Sequence, residues 1–139
     1  MEIDIQITNA PIAEQSPPPT ATGLGAWVEF HGVVRGHEKG ETIAALEYEA
    51  YSPMAEREMR RIIRQIGRRH LSLFVRAIHR IGVVPVGEAA IYVGIAGEHR
   101  AEVFALLGEF MNRLKQDVPI WKRRALRAEQ LELNAVNYE

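Results

Sequence analysis

Apolar residues recur along this chain at two spacings, every second position and every third or fourth, and the two alternate. Ile3, Ile5 and Ile7 alternate with Asp4 and Gln6, which predicts a half-buried strand. Residues 9–24 break the pattern with Pro11, Pro17, Pro18 and Pro19 among Ser, Thr and Ala, a proline-rich surface loop. Gly25 to Arg35 is β-branched and aromatic and predicts a second strand, with Gly32 marking a bulge or a close backbone approach. After a polar turn at 36–40, Thr42 to Tyr51 sets Ala44, Leu46, Tyr48 and Ala50 on one face against Glu47 and Glu49 on the other. This is a third strand, hairpin-paired to the second. Ser52-Pro53 reads as a helix start, a hydroxyl cap followed by proline at the first helical position. Ala55, Met59, Ile62, Ile63 and Ile66 then form one apolar stripe. Arg64, Arg68 and Arg69 decorate the helix end, where the dipole favours cations.

Leu71 to Arg80 predicts a fourth strand, Gly82 to Gly87 an irregular connection, and Glu88 to Ala96 a fifth strand. Gly97-Glu98-His99-Arg100 opens a second helix whose stripe is Val103, Phe104, Leu107, Phe110, Met111 and Leu114. Ile120 to Leu126 is a sixth strand. From the third strand onward the order is β-α-β-β-α-β, the split βαβ or ferredoxin-like order. The expectation is therefore an α+β fold: an antiparallel sheet with both helices on one face, plus an N-terminal hairpin arm. A single domain spans 1–139, with 9–24 as a loop and 127–139 as a variable tail.

Composition narrows the chemistry. The chain has 139 residues and a net charge of −1, so no global field draws it to nucleic acid or to a membrane surface, and any anion site must be a local cluster. It has no cysteine, which removes disulfides, thiolate metal sites and cysteine nucleophiles, and means the chain cannot carry sulfur on a thiol of its own. No apolar run approaches the ~20 residues of a membrane span. The acidic, alternating start is unlike a signal peptide, so a cytoplasmic location is expected. The histidines at 31, 37, 70, 79 and 99 lack a tight ligand spacing, so no metal is expected, and no motif calls for a cofactor.

The second helix runs into Lys115-Gln-Asp-Val-Pro119-Ile-Trp-Lys122. In an unbroken helix Lys115 and Lys122 would share a face. Pro119 lacks an N–H and disfavours helix at Val118, so a helix-borne and a strand-borne ammonium can instead approach one point from different directions. The alternative is a helix C-terminus decorated with cations. Arg35, His79, Arg80, His99 and Arg100 stand at other element ends, several of which can meet at one edge of an α/β sandwich. His99 and Arg100 at a helix N-terminus add side-chain donors to free backbone N–H groups, a natural anion site. His79 fits a core position as well as a site, and Arg80 a solvated strand end. Trp121 fits packing better than a ligand platform. Phe30 and Met111 fit the core or a pocket wall.

Five signatures in order carry a resemblance. They are Gly25-Ala26…Phe30-x-Gly32-x-Val34-Arg35, Leu46-x-Tyr48-Glu49-x-Tyr51-x-x-Met54-Ala55, His79-Arg80-Ile81-Gly82…Val86-Gly87-Glu88, His99-Arg100, and Leu114-Lys115…Val118-Pro119-Ile120-Trp121-Lys122. Over about residues 25 to 124 the chain resembles the large, catalytic subunit family of molybdopterin synthase. The resemblance implies an α/β hammerhead type of fold and sulfur transfer in molybdenum cofactor biosynthesis. A cyclic pyranopterin monophosphate would become molybdopterin, with sulfur arriving as a C-terminal thiocarboxylate on a small ubiquitin-like carrier subunit. It further implies a homodimer at the centre of a heterotetramer. Carried over by position, Lys115 and Lys122 are the catalytic pair. Arg35, His99 and Arg100 hold phosphate and pterin, and Phe30 and Met111 form the pocket wall. A lysine buried there would have its basicity lowered, which suits proton transfer.

Three features depart from the family pattern. The segment before Gly25 is proline-rich where a short helix is usual, Arg123-Arg124 stand where a basic residue and then Glu are usual, and the tail differs. A non-catalytic ferredoxin-like binding or scaffold relative that keeps the carrier is one alternative. An acylphosphatase-like hydrolase is another, suggested by the element order and the glycine-containing Phe30 to Gly36 loop. An RNA-binding sheet lacks its paired aromatic platform.

Overall fold

The computed structural model describes residues 1–18 and 22–132. The elements run β1 (Glu2–Thr8), β2 (Ala26–Val33), β3 (His37–Glu38), β4 (Glu41–Thr42), β5 (Ala45–Ala50), α1 (Met54–Gly67), β6 (Phe74–Arg80), β7 (Gly82–Pro85), β8 (Ala89–Gly97), α2 (Arg100–Asp117) and β9 (Ile120–Leu126). The fold is mixed α+β around a central sheet of order β1-β6-β8-β2. A second sheet has the order β7-β5-β9, and β3 and β4 form a short hairpin between them in sequence.

Several expectations are corrected by this topology. The β-α-β-β-α-β strands are divided between two sheets, because β5 and β9 pair with each other and with β7 and not with β6 or β8. The central sheet is mixed, since β1 runs parallel to β6. Among the described residues there is no N-terminal hairpin arm: β1 and β2 lie at opposite edges of the central sheet, and β2 pairs with β8 rather than with β5. Residues 9–18 and the segment before β2 carry the chain from one edge to the other. The stretch read as an irregular connection is the strand β7, which finds its partner in β5.

The alternation read from the sequence places the core. Ile3, Ile5, Ile7, Val28, Phe30, Val75, Ala77, Ile91, Val93 and Ile95 all face one side of the central sheet, and both helices cover that side. α1 contributes Ala55, Met59, Ile62, Ile63 and Ile66, the whole predicted stripe, and each is fully buried. α2 contributes Val103, Leu106 and Phe110, with Leu107, Met111 and Leu114 half-buried beside them. Phe104 departs from its expected place and is 58% exposed, because the buried face of α2 turns through Leu106 instead. A smaller core of Val34, Ile43, Leu46, Val84 and Ala90 joins the second sheet to the start of β8. Burying a side chain of this size stabilises by about 1.5–3 kcal/mol.

Helix boundaries follow backbone chemistry. α1 starts at Met54 without a side-chain cap, so Ser52 does not fill the capping role predicted for it. One of the free N–H groups is met by a main-chain acceptor instead, Ala55 N–H donating to Tyr51 O at 2.8 Å, and the regular ladder begins with Arg57 N–H on Pro53 O at 3.2 Å. α2 ends at Asp117, and Val118 is extended (φ −89°, ψ 130°), as the following proline dictates. Gly82, at φ +82°, turns the chain from β6 in the central sheet into β7 in the second, a left-handed conformation that glycine adopts without a Cβ clash. Among the described residues no helix is long and apolar enough to cross a membrane.

Candidate active site

The break at Pro119 places two amines on separate layers. Lys115 stands in the last turn of α2, which packs on the central sheet. Lys122 stands on β9, in the second sheet. Both line one cleft of about 620 Å3, whose other walls include Tyr48, His79, Ile91, Met111 and Trp121. An adjoining recess of about 220 Å3 shares Tyr48, His79, Ile91 and both lysines, and adds Arg35 and Glu38. The helix-borne and strand-borne cations therefore do meet at one cavity.

A register shift helps to aim Lys122. On β9 Lys122 lies opposite Tyr48 and Arg124 opposite Glu47, which leaves Arg123 as an extra residue between them. Such a bulge breaks the strict alternation of faces. Arg124 turns to Glu47, with Nε–H donating to Oε1 at 3.2 Å, and Arg123 reaches the same carboxylate at 3.6 Å. Both arginines are thereby paired with Glu47 rather than Glu38, though they line one groove with Glu38 and Lys122. Lys122 Nζ donates to Glu38 at 3.4 and 3.5 Å.

Neither lysine is buried in the single chain: Lys115 is exposed and the Lys122 side chain is 47% exposed. The expectation of a buried lysine is corrected here, because the cleft opens to solvent. Trp121 is also corrected. It is 46% exposed and forms a cleft wall rather than packing in the core.

His79 is 6% exposed at the back of the cleft. Its Nδ1 lies 2.8 Å from Arg80 O, which can only accept, so Nδ1 carries the ring proton. Burial lowers the imidazole pKa and this hydrogen bond only partly offsets it, so the ring is held neutral. The Tyr48 ring meets it edge to face at 5.3 Å. Burial and then the charge of Glu38 push the Tyr48 hydroxyl up, which keeps it a neutral O–H beside the amines. Arg80 is buried and paired to Glu88 at 2.8 Å, so it is not the solvated strand end expected.

Arg35 and Met111 line the cleft or its recess as expected. Phe30 packs in the main core, and its ring lies against Gly32 at the edge of the recess. His99 and Arg100 are not brought to the lysines within one chain. They open α2, whose far end carries Lys115 sixteen positions later, about 24 Å away at 1.5 Å per residue. His99 lines a different pocket with Leu71, Leu73, Glu98 and Glu102. Sequence reasoning missed Tyr48 and Glu38 as cleft residues. Tyr48 stood inside a quoted signature without a role, and Glu38 was read only as part of a polar turn. The arginines of α1 line a groove of their own that shares no residue with the lysine cleft.

Comparison with known proteins bears on the family of the chain. Residues 4–117 match the family model described as MoaE protein. The molybdopterin synthase catalytic subunit of Homo sapiens is 39% identical over 99 residues, 71% of this chain and 53% of that protein. The chain thus spans about half the length of that relative. Catalytic subunit 1 of the molybdopterin synthase of Mycobacterium tuberculosis is 39% identical over 99 residues, 71% of this chain and 67% of that one. The crystal structure of molybdopterin synthase from Staphylococcus aureus superposes with a TM-score of 0.75 at 30% identity, covering 92% of this chain and 91% of that chain.

Proposed function

Since the chain belongs to the MoaE protein family, we propose that it is the large, catalytic subunit of a molybdopterin synthase. It converts a cyclic pyranopterin monophosphate to molybdopterin, taking sulfur from the C-terminal thiocarboxylate of a small ubiquitin-like carrier subunit. The observation that supports this reading best is that Lys115 and Lys122, on different layers, line one cleft with Arg35 beside them. A chain with no cysteine needs an outside sulfur donor, and a local cation cluster suits an anionic substrate. The volume of about 620 Å3 falls within the usual range for small-molecule sites, roughly 300–1,000 Å3.

In this reading Lys115 meets the thiocarboxylate as general acid/base or charge stabiliser. Lys122 assists and binds the substrate or the tail carboxyl. Arg35 takes the phosphate, and Met111 and Phe30 form the apolar wall. Each charge-assisted hydrogen bond to such an anion contributes about 1.5–3 kcal/mol. Proton transfer by a placed amine supplies about 10²–10⁴-fold in rate. Positioning the sulfur against the substrate carbon supplies the rest. The fold is read as a ferredoxin-like unit split over two sheets, the α/β hammerhead type.

His99 and Arg100 join this site only from a second copy, which gives the expected homodimer a chemical purpose. Two α2 helices packed antiparallel about Leu107 and Gly108 would set the N-terminus of one beside Lys115 of the other. Exposed Phe104 and half-buried Met111 flank that midpoint, and the space around Gly108 is open. One small carrier subunit at each end completes a heterotetramer.

The test is a coupled assay with cyclic precursor and thiocarboxylated carrier. Lys115→Ala is expected to lose at least about 10²-fold in product formation, the low end of what a placed acid or base supplies, while its circular dichroism is unchanged. Wild-type-like turnover by that variant would remove the assigned role. Carrier binding without product from the unaltered chain would favour a non-catalytic scaffold instead.

A further inference from the structure

We infer that Glu38 is an internal ligand of Lys122 and that it determines which anion the lysine cleft accepts. The inference rests on the reading of the cleft as the seat of the carrier tail.

Glu38 is carried by the β3–β4 hairpin. The two turn residues, Lys39 (φ +51°) and Gly40 (φ +81°), are both left-handed, as a tight two-residue hairpin requires. Among the described residues the hairpin pairs only with itself, and its base is closed by Ile43 N–H donating to Gly36 O at 3.0 Å. It stands beside the recess that Arg35, Lys115 and Lys122 line. The Glu38 side chain is 22% exposed and lines both that recess and a neighbouring groove with Arg123 and Arg124.

Both carboxylate oxygens lie near the ammonium of Lys122, at 3.4 and 3.5 Å. Charge-assisted N–H···O bonds at full strength measure about 2.7–2.9 Å. The pair is therefore loose, and with Lys122 half-exposed it contributes little to stability. Arg123 and Arg124 do not compete for Glu38, because both are turned to Glu47.

The consequence is a selective site. In the empty cleft Lys122 already has a carboxylate, and a second anion meets a like charge beside it. To bind, the newcomer must displace Glu38. A small free anion has no further contacts to offset that loss. A carboxyl group at the end of a peptide is delivered by all the contacts of that peptide, which raises its effective concentration at Lys122. Glu38 thus lowers the hold of Lys122 on any anion by the same factor, and a tail anchored by its other contacts keeps its place where a loose anion does not.

The experiment uses the full chain, wild type and Glu38→Gln, titrated calorimetrically with two short peptides of one sequence ending in glycine. One peptide has a free carboxylate, the other a C-terminal amide; inorganic phosphate serves as the small free anion. Glu38→Gln is expected to bind the carboxylate peptide about 2- to 5-fold more tightly, the range of one exposed ion pair, and the amide peptide equally well. Phosphate should likewise bind the variant about 2- to 5-fold more tightly than the wild type. Equal affinities in the two proteins, or an equal gain for both peptides, would overturn the role of Glu38. If the wild type discriminates carboxylate from amide and the variant does not differ, only this inference fails. If neither protein binds the carboxylate peptide or intact carrier, the reading of the cleft fails with it.

Discussion

His79 illustrates what a single residue contributes. Its imidazole is kept neutral by burial, with Nδ1–H on the Arg80 carbonyl, at the back of the lysine cleft. In the unfolded chain it titrates near 6.5, and in the folded chain below that. Between those values the unfolded state binds more protons, so stability rises with pH. The contribution is complete above about 6.5 and is lost as pH falls through the folded value. Urea midpoints measured between pH 5 and pH 8 should therefore climb less steeply in His79→Gln than in the wild type; identical slopes would mean that His79 is not held neutral by the fold. Individual residues were unevenly legible. Lys115, Lys122, Arg35 and Met111 could be singled out because a proline break and five ordered signatures surround them. Glu38 could not, since its partner Lys122 is 84 positions away and a turn glutamate carries no local mark. Trp121 was misjudged because large aromatics usually serve burial, whereas this one stands at a cleft mouth.

Elements are where the sequence spoke most clearly. Both helices begin and end within a few residues of their expected bounds, because the apolar stripes and Pro119 are strong local signals. The miss is β7, whose Gly82, Pro85 and nearby Gly87 look like loop punctuation. Its strand character comes from the ladder offered by β5, which no local pattern reveals. Gly82 itself is the corner between the two sheets. Nothing lies within 4 Å of the Cβ it lacks, so Gly82→Ala should cost only the left-handed strain, about 1–2 kcal/mol. Thermal melting would register this as a drop of several degrees; an unchanged midpoint would show that the corner tolerates a side chain.

For the whole molecule, α+β class and the placing of both helices on one face follow from the order of the elements that the apolar spacing reveals. The division into two sheets does not, because a period of two tells which face a residue takes and not which strand lies beside it. β1 pairs in parallel with β6 across more than sixty intervening residues. The second copy proposed to complete the site is testable at this scale. Lys115→Ala and the double variant His99→Ala, Arg100→Ala should each be nearly inactive alone. Mixed and allowed to exchange subunits, they should regain about a quarter of wild-type activity, because half the dimers are mixed and each mixed dimer holds one intact site. A mixture as inactive as its components would show that the three residues act within one chain.

The amines of the cleft ride on different layers, joined through Val118 and Pro119. Their separation is a ruler laid between the central sheet, on which α2 packs, and the second sheet. A slight slide of one layer against the other, too small to melt a strand, would alter the spacing. In the proposed reading turnover is therefore a gauge of how the two layers are seated, and a side chain such as Val84, which joins the second sheet to the start of β8, acquires a say in the rate.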